Sequence, residues 1–285
     1  MQPVTEASVS ILDIVTYGFK KAVQAFWPVS WLCLPALVCL ALGGAVIESV
    51  PIDDSVIRVK DALYKPLSLI VLYMNYAIAR YCRDVFWSEP KENLWAYMMP
   101  DRTLWGVCGI GVLTVFYGMG AGLLGMLGLL LLVIPGIAIF SYYYVWSGMF
   151  YTVYLRKPEA GVWSARHETA RLFKGNFWRT AGLGLVVSLV SVLPMLPMVF
   201  LSGGMEILRE MPPSFMPTYA FSILYGILYA AIYWVSLGIC FSGFSFVLNR
   251  YYQELQSRLE QSLSGVVQMS AFQQQYQEQD RQSGS

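Results

Sequence analysis

Residues 104–155 carry no charged side chain. A helix crosses a bilayer with about 20 mostly apolar residues, because it rises about 1.5 Å per residue through about 30 Å of hydrocarbon. The uncharged stretch is more than twice that length, so it must hold two spans and a tight return. Composition agrees. Charged residues are 13% of the 285, against about 25% in soluble domains, too few to cover a water-facing surface of this size. The chain therefore reads as all-α, an integral membrane helical bundle.

The same length criterion places six spans at about 26–47, 66–87, 104–123, 127–153, 177–201 and 218–247. Residues 1–250 form the membrane domain and 251–285 a polar, Gln-rich tail. The tail is expected to extend the last helix to about Leu263 and to be disordered beyond. Polar loops are expected at 48–65, 88–103 and 202–217. The return between spans three and four is placed in the glycine-dense stretch 118–128, where Gly118 and Gly122 have the small-xxx-small spacing of close helix packing. Pro135 and Gly136 fall inside the fourth span and are expected to kink it.

Two segments have a helical apolar stripe with a basic face. In 8–24, Val9, Leu12, Val15, Phe19 and Val23 recur every three or four residues, with Lys20 and Lys21 beside them. This predicts an amphipathic helix on the membrane surface, capped by Ser8 or Ser10. Residues 156–176 repeat the character. Both segments run into an aromatic pair, Phe26-Trp27 and Phe177-Trp178, an internal echo at two equivalent interfaces. The first 24 residues include Glu6, Asp13, Lys20 and Lys21 and have no unbroken apolar run, so the first span is expected to act as its own uncleaved signal.

The basic residues set orientation. With the N-terminus inside, the outer segments hold only Arg58, Lys60, Lys65 and Arg209 of the 19 Lys and Arg. The positive-inside rule then selects N-in/C-in, with the amphipathic helices cytoplasmic, and an odd span count would break the pattern.

The sequence offers little chemistry. His167 is the one histidine, so neither a zinc site nor any other metal centre is expected. The five cysteines lie in or beside apolar runs without a CxxC, which points to packing rather than disulfides. Ser147-Gly148 lacks the preceding glycine and the partner histidine of an intramembrane serine protease. No phosphate-binding loop stands in a suitable setting. No catalytic residue, cofactor or enzyme activity is expected. The spans also lack mid-membrane ionisable groups, the usual mark of an ion-coupled transporter; Asn75 is the main polar side chain within one, and a helix–helix hydrogen bond accounts for it. Arg80 and Asp84, four apart near the end of the second span, can pair on one helix face.

Arg80, Arg83, Arg171, Lys174 and Arg179 cluster where anionic lipid headgroups lie and are the candidate contacts to them. Membrane lipids are the expected partners, with a membrane protein complex as the alternative and no nucleic acid. The function read from these residues is scaffolding or lipid association without catalysis. The alternatives are a small transporter or permease subunit, which would need a polar path near Asn75, Pro135 and Pro194, and a membrane enzyme acting on lipids.

The run Leu132-Val-Ile-Pro135-Gly136-Ile-Ala-Ile, followed by a long aromatic span and then by Ala170-Arg-Leu-Phe-Lys174-Gly-Asn-Phe-Trp-Arg179, resembles the membrane domain of bacterial glycerophosphodiester phosphodiesterases and its stand-alone multi-pass relatives. The likeness covers most of 8–250. It implies a six-span bundle in a bacterial cytoplasmic membrane. It carries over no enzyme, because in that family the chemistry resides in a separate soluble barrel with metal-binding His and acidic residues.

Overall fold

A computed structural model describes residues 9–49, 54–91, 93–131, 133–210 and 219–283, which form eight α-helices and no strand. In order they are α1 (Ile11–Gln24), α2 (Phe26–Ser49), α3 (Asp54–Phe86), α4 (Thr103–Leu131), α5 (Val133–Arg156), α6 (Gly161–Phe173), α7 (Phe177–Glu210) and α8 (Tyr219–Ser283). Among the described residues, four stretches are long and apolar enough to cross a membrane: Thr103–Leu130, Val133–Arg156, Phe177–Pro197 and Ala231–Ser262. The pair α1 and α2, bent by 71° at their junction, makes a fifth if it counts as one span.

α1 begins where expected, with the Leu12 N–H donating to Ser10 Oγ at 3.3 Å. It does not lie loose on a surface. Ile14, Val15 and Ala22 are buried, and Gly18 sits so close to α8 that an added Cβ would stand 2.8 Å from the Val247 nitrogen. Of the apolar stripe, Val15 is buried, whereas Leu12 and Val23 stay exposed, as does Lys20.

The hairpin of α4 and α5 corrects two expectations. The glycine-dense stretch is helix throughout; α4 runs to Leu131 and α5 begins at Val133, residue 132 lying outside the described residues. Here the glycines bring backbones together instead of turning the chain: a Cβ on Gly128 would lie 2.9 Å from the Gly136 nitrogen and 3.0 Å from its Cα. Gly118 approaches the Tyr143 hydroxyl, but nothing of the protein lies within 4 Å of a Cβ at Gly122, so the small-xxx-small pair does not act as a pair. Pro135 falls in the first turn of α5, where its missing N–H would be unpaired anyway and costs the helix no hydrogen bond. Gly136 is buried against α4.

Other boundaries move outward. α3 starts at Asp54, so most of the expected loop 48–65 is helix, and residues 50–53 lie outside the described residues. α7 continues to Glu210 through Pro194 and Pro197, and 211–218 lie outside. α8 is unbroken to Ser283, where disorder was expected beyond Leu263.

The echo between the two aromatic pairs grows in three dimensions. α1–α2–α3 and α6–α7–α8 each run as short helix, aromatic pair, long helix, long helix. α3 ends in Arg80-Tyr81-Cys82-Arg83-Asp84, and α8 carries Arg250-Tyr251-Tyr252-Gln253-Glu254 at the matching place. Tyr81, Tyr251, Asp84 and Glu254 are all buried. Packing departs from the echo, since α1 lies mainly on α8 whereas α6 lies mainly on α5.

Candidate functional site

The ends of α3, α5 and α6, the starts of α4 and α7, and the middle of α8 meet at one end of the bundle, where most of the described Arg and Lys residues collect. Three polar clusters hold this basic end together.

The first fixes the connection between α3 and α4. Arg80 is only 3% exposed; its guanidinium pairs with Asp101 Oδ2 at 2.7 Å and donates to the carbonyls of Tyr97 (3.2 Å) and Met99 (3.0 Å). The other oxygen of Asp101 accepts from Tyr76 Oη at 2.7 Å and from the Thr103 N–H at 2.9 Å. Burial by itself raises the Asp101 carboxyl, but these hydrogen bonds and the Arg80 charge outweigh it and hold the group below its ordinary value. The 3-10 turn Leu94–Tyr97, capped by Asn93, is thereby clamped on the bundle. The expected Arg80–Asp84 pair does not form. Asp84 is buried and accepts instead from Arg83 Nε at 2.6 Å, because Arg80 is drawn to the three acceptors of the 94–101 segment.

The second cluster joins α3 to α5. Arg83 also donates to the Leu155 carbonyl, Arg156 stacks on Trp87 at 4.2 Å, and Arg156 reaches Glu89 at 3.6 Å. The third joins α1, α7 and α8: Arg179 pairs with buried Glu254 and donates to the Val9 carbonyl at 2.5 Å, while Arg258 approaches the same carboxylate at 2.8 Å. Thr180 and Tyr251 hydroxyls share a hydrogen bond of 2.9 Å beside it.

Of the five candidate lipid contacts, Arg80, Arg83 and Arg179 are thus engaged inside the protein. Arg171 and Lys174 are exposed at the end of α6. The turn that follows is built by Gly175, whose φ of +80° favours a residue without Cβ, and by Asn176, whose amide donates to the Leu172 carbonyl at 3.2 Å. The Phe177 ring lies 4.8 Å from that of Tyr142, while Trp178 (69%) and Trp163 (61%) are exposed and flank the two cations in sequence. Arg166 lies over the rings of Tyr117 and Trp163.

The side chains singled out for chemistry stay apart. Ser147 donates to the Tyr144 carbonyl on its own helix, and the His167 ring nitrogen meets the Trp163 carbonyl at 2.8 Å. Among the described residues no three His, Cys, Asp or Glu gather as a metal site. The oxygen of Asn75 is buried without a hydrogen-bond partner, so the expected helix–helix bond is missing. Glu254 went unnoticed because it lies in a segment read as polar tail; its match to Asp84 in the Arg-Tyr-x-x-acid echo was the signal available.

The described residues are all-helical with four helices long and apolar enough to cross a membrane, an arrangement compatible with a helical membrane bundle. No family model, no curated protein and no solved structure matches the chain.

Proposed function

We propose that this protein is a six-span, N-in/C-in protein of a bacterial cytoplasmic membrane that holds anionic lipid at its basic end and catalyses no reaction itself. The carrying observation is the junction of α6 and α7, where Arg171, Lys174 and Trp178 are exposed, with Trp163 exposed in the first turn of α6. Tryptophan seeks the headgroup level and a nearby Lys or Arg adds about 1 kcal/mol toward an anionic surface. Two such cations contribute about 2 kcal/mol, or about thirty-fold in affinity. The fixed clusters of Arg80, Arg83 and Arg179 fit the scaffolding part of the reading, because they give this end one rigid shape.

The six-span count goes beyond the four apolar helices and the bent α1–α2 pair, which make five; it takes α3, of 33 residues, as the sixth crossing by its length. The orientation rests on the basic residues, and kinship with the phosphodiesterase membrane domain rests on the motifs around Pro135-Gly136 and Lys174–Arg179. The test is native mass spectrometry of protein purified in mild detergent. Selective retention of an anionic phospholipid, lost in Arg171→Ala/Lys174→Ala, supports the reading. A stoichiometric protein partner without selective lipid makes the chain a subunit of a complex instead.

A further inference from the structure

Between α3 and α4 the chain passes through Asn93-Leu-Trp-Ala-Tyr-Met-Met-Pro100, eight residues without a charged side chain. A polar loop is the sequence expectation here, yet the segment folds back along the bundle. Met98 lines the groove between α2 and α3 together with Pro35 and Cys39 of α2 and Ile70 and Tyr73 of α3. Pro35 stands nine residues past Phe26, where α2 begins, and Tyr73 seven residues before Arg80. At about 1.5 Å per residue these are about 13 Å and about 10 Å along the two helices. Both helices thus place Met98 well inside the bundle from its basic end. At those levels Val38 of α2 and Leu69 and Leu72 of α3 are exposed, as aliphatic side chains are on a lipid-facing surface.

The hydrogen bonds of the segment point the same way. Three successive carbonyls are taken by side chains of α3: Arg80 donates to those of Tyr97 and Met99, and the Tyr73 hydroxyl to that of Met98 between them. The Trp95 N–H donates to Asn93 Oδ1, the Met98 N–H to the Trp95 carbonyl, and Pro100 has no N–H to satisfy. A loop in water can leave such groups to the solvent. Non-helical backbone at membrane depth has no water to turn to and must find its partners in the protein. While the carbonyls turn to α3, large apolar side chains turn away from the bundle: Trp95 is 48% and Met99 67% exposed.

We propose that residues 93–100 form a re-entrant foot that sits beneath the headgroups of the leaflet at the basic end, with Trp95 and Met99 against lipid acyl chains. The proposal rests on the membrane-spanning reading above, with α3 as a crossing, and uses no residue of the α6–α7 junction. The experiment takes the full chain in vesicles of phosphatidylglycerol and phosphatidylcholine, a fraction of the lipid carrying a diazirine on one acyl chain, and maps photo-labelled residues by peptide mass spectrometry. A parallel sample is oxidised by hydroxyl radicals generated in the water. Met119 and Met126, exposed on the apolar helix α4, serve as the lipid-facing reference for both reagents. The expected result is lipid labelling of Trp95 and Met99 within about three-fold of that reference, with Met99 oxidised no faster than Met119 and Met126. Fast oxidation of Met99 without lipid labelling makes the segment a loop in water and overturns the proposal. Protection of Met99 from both reagents means that protein covers it, a second copy or a partner, and overturns the proposal as well. Leu69 and Leu72 of α3 separate the failures. If they are labelled and Met99 is not, the sixth crossing stands and the foot alone falls; if they too stay unlabelled, α3 is no crossing and the foot falls with it. Unlabelled Met119 and Met126 would overturn the membrane-spanning reading itself.

Discussion

Removing the Asp101 carboxylate leaves the Arg80 guanidinium buried with two backbone carbonyls and no counter-charge. Breaking a buried ion pair from one side costs about 3–5 kcal/mol. Asp101 is 40% exposed, so water re-enters on its side and the figure falls; the lost hydrogen bonds from Tyr76 and Thr103 add back part of it. The net expectation for Asp101→Ala is a loss of about 2–3 kcal/mol. Arg80→Met should be milder, about 1 kcal/mol, because the remaining carboxylate can be hydrated and the methionine fills the site. The double variant Arg80→Met/Asp101→Ala should then be more stable than Asp101→Ala alone, since the stranded charge is gone. Equilibrium unfolding in mixed micelles gives all four corners of the cycle. An Asp101→Ala loss under about 0.5 kcal/mol, or strict additivity of the two changes, refutes the clamp.

Three more tests probe other joints. Gly128→Ala should destabilise by about 1–3 kcal/mol as its methyl meets the Gly136 backbone, whereas Gly122→Ala should be neutral or slightly stabilising; thermal midpoints in detergent compare them. Gly175→Ala should lower stability by about 1 kcal/mol at its positive φ, and the same scan reads it. Because the Asp101 carboxyl is held below its ordinary value, its contribution is present above about pH 4 and is lost as pH falls through the lowered folded value. The midpoint of the parent should therefore drop more steeply than that of Asp101→Asn between pH 5 and pH 2.

What the sequence disclosed followed from one-dimensional quantities. The uncharged 104–155 stretch forced two apolar helices, α4 and α5, and the basic segment 156–176 gave α6. Contacts between distant parts were not legible. The stripe of α1 did not disclose the face that packs: Leu12 and Val23 are exposed, and the contact with α8 runs through Gly18, close to Val247. Glycine density signalled a turn, whereas close backbone approach consumes the same residue and leaves the helix whole. Charge pairing was read from spacing along α3; Arg80 instead found Asp101, 21 positions on, because carbonyls of the 94–101 segment surround it there. Of the candidate headgroup contacts, the two at the end of α6 are exposed. The internal pairing of the other arginines needed Glu254, Val9 and Leu155, which lie far from them in sequence.

The central claim is anionic lipid at the α6–α7 surface. Native mass spectrometry of the parent protein and of Arg171→Ala/Lys174→Ala, exchanged into detergent with equal phosphatidylglycerol and phosphatidylcholine, addresses it directly. Preferential phosphatidylglycerol retention is expected in the parent, and a drop of about thirty-fold in the variant. Equal retention of the two lipids by the parent, or the same preference in both proteins, would contradict it.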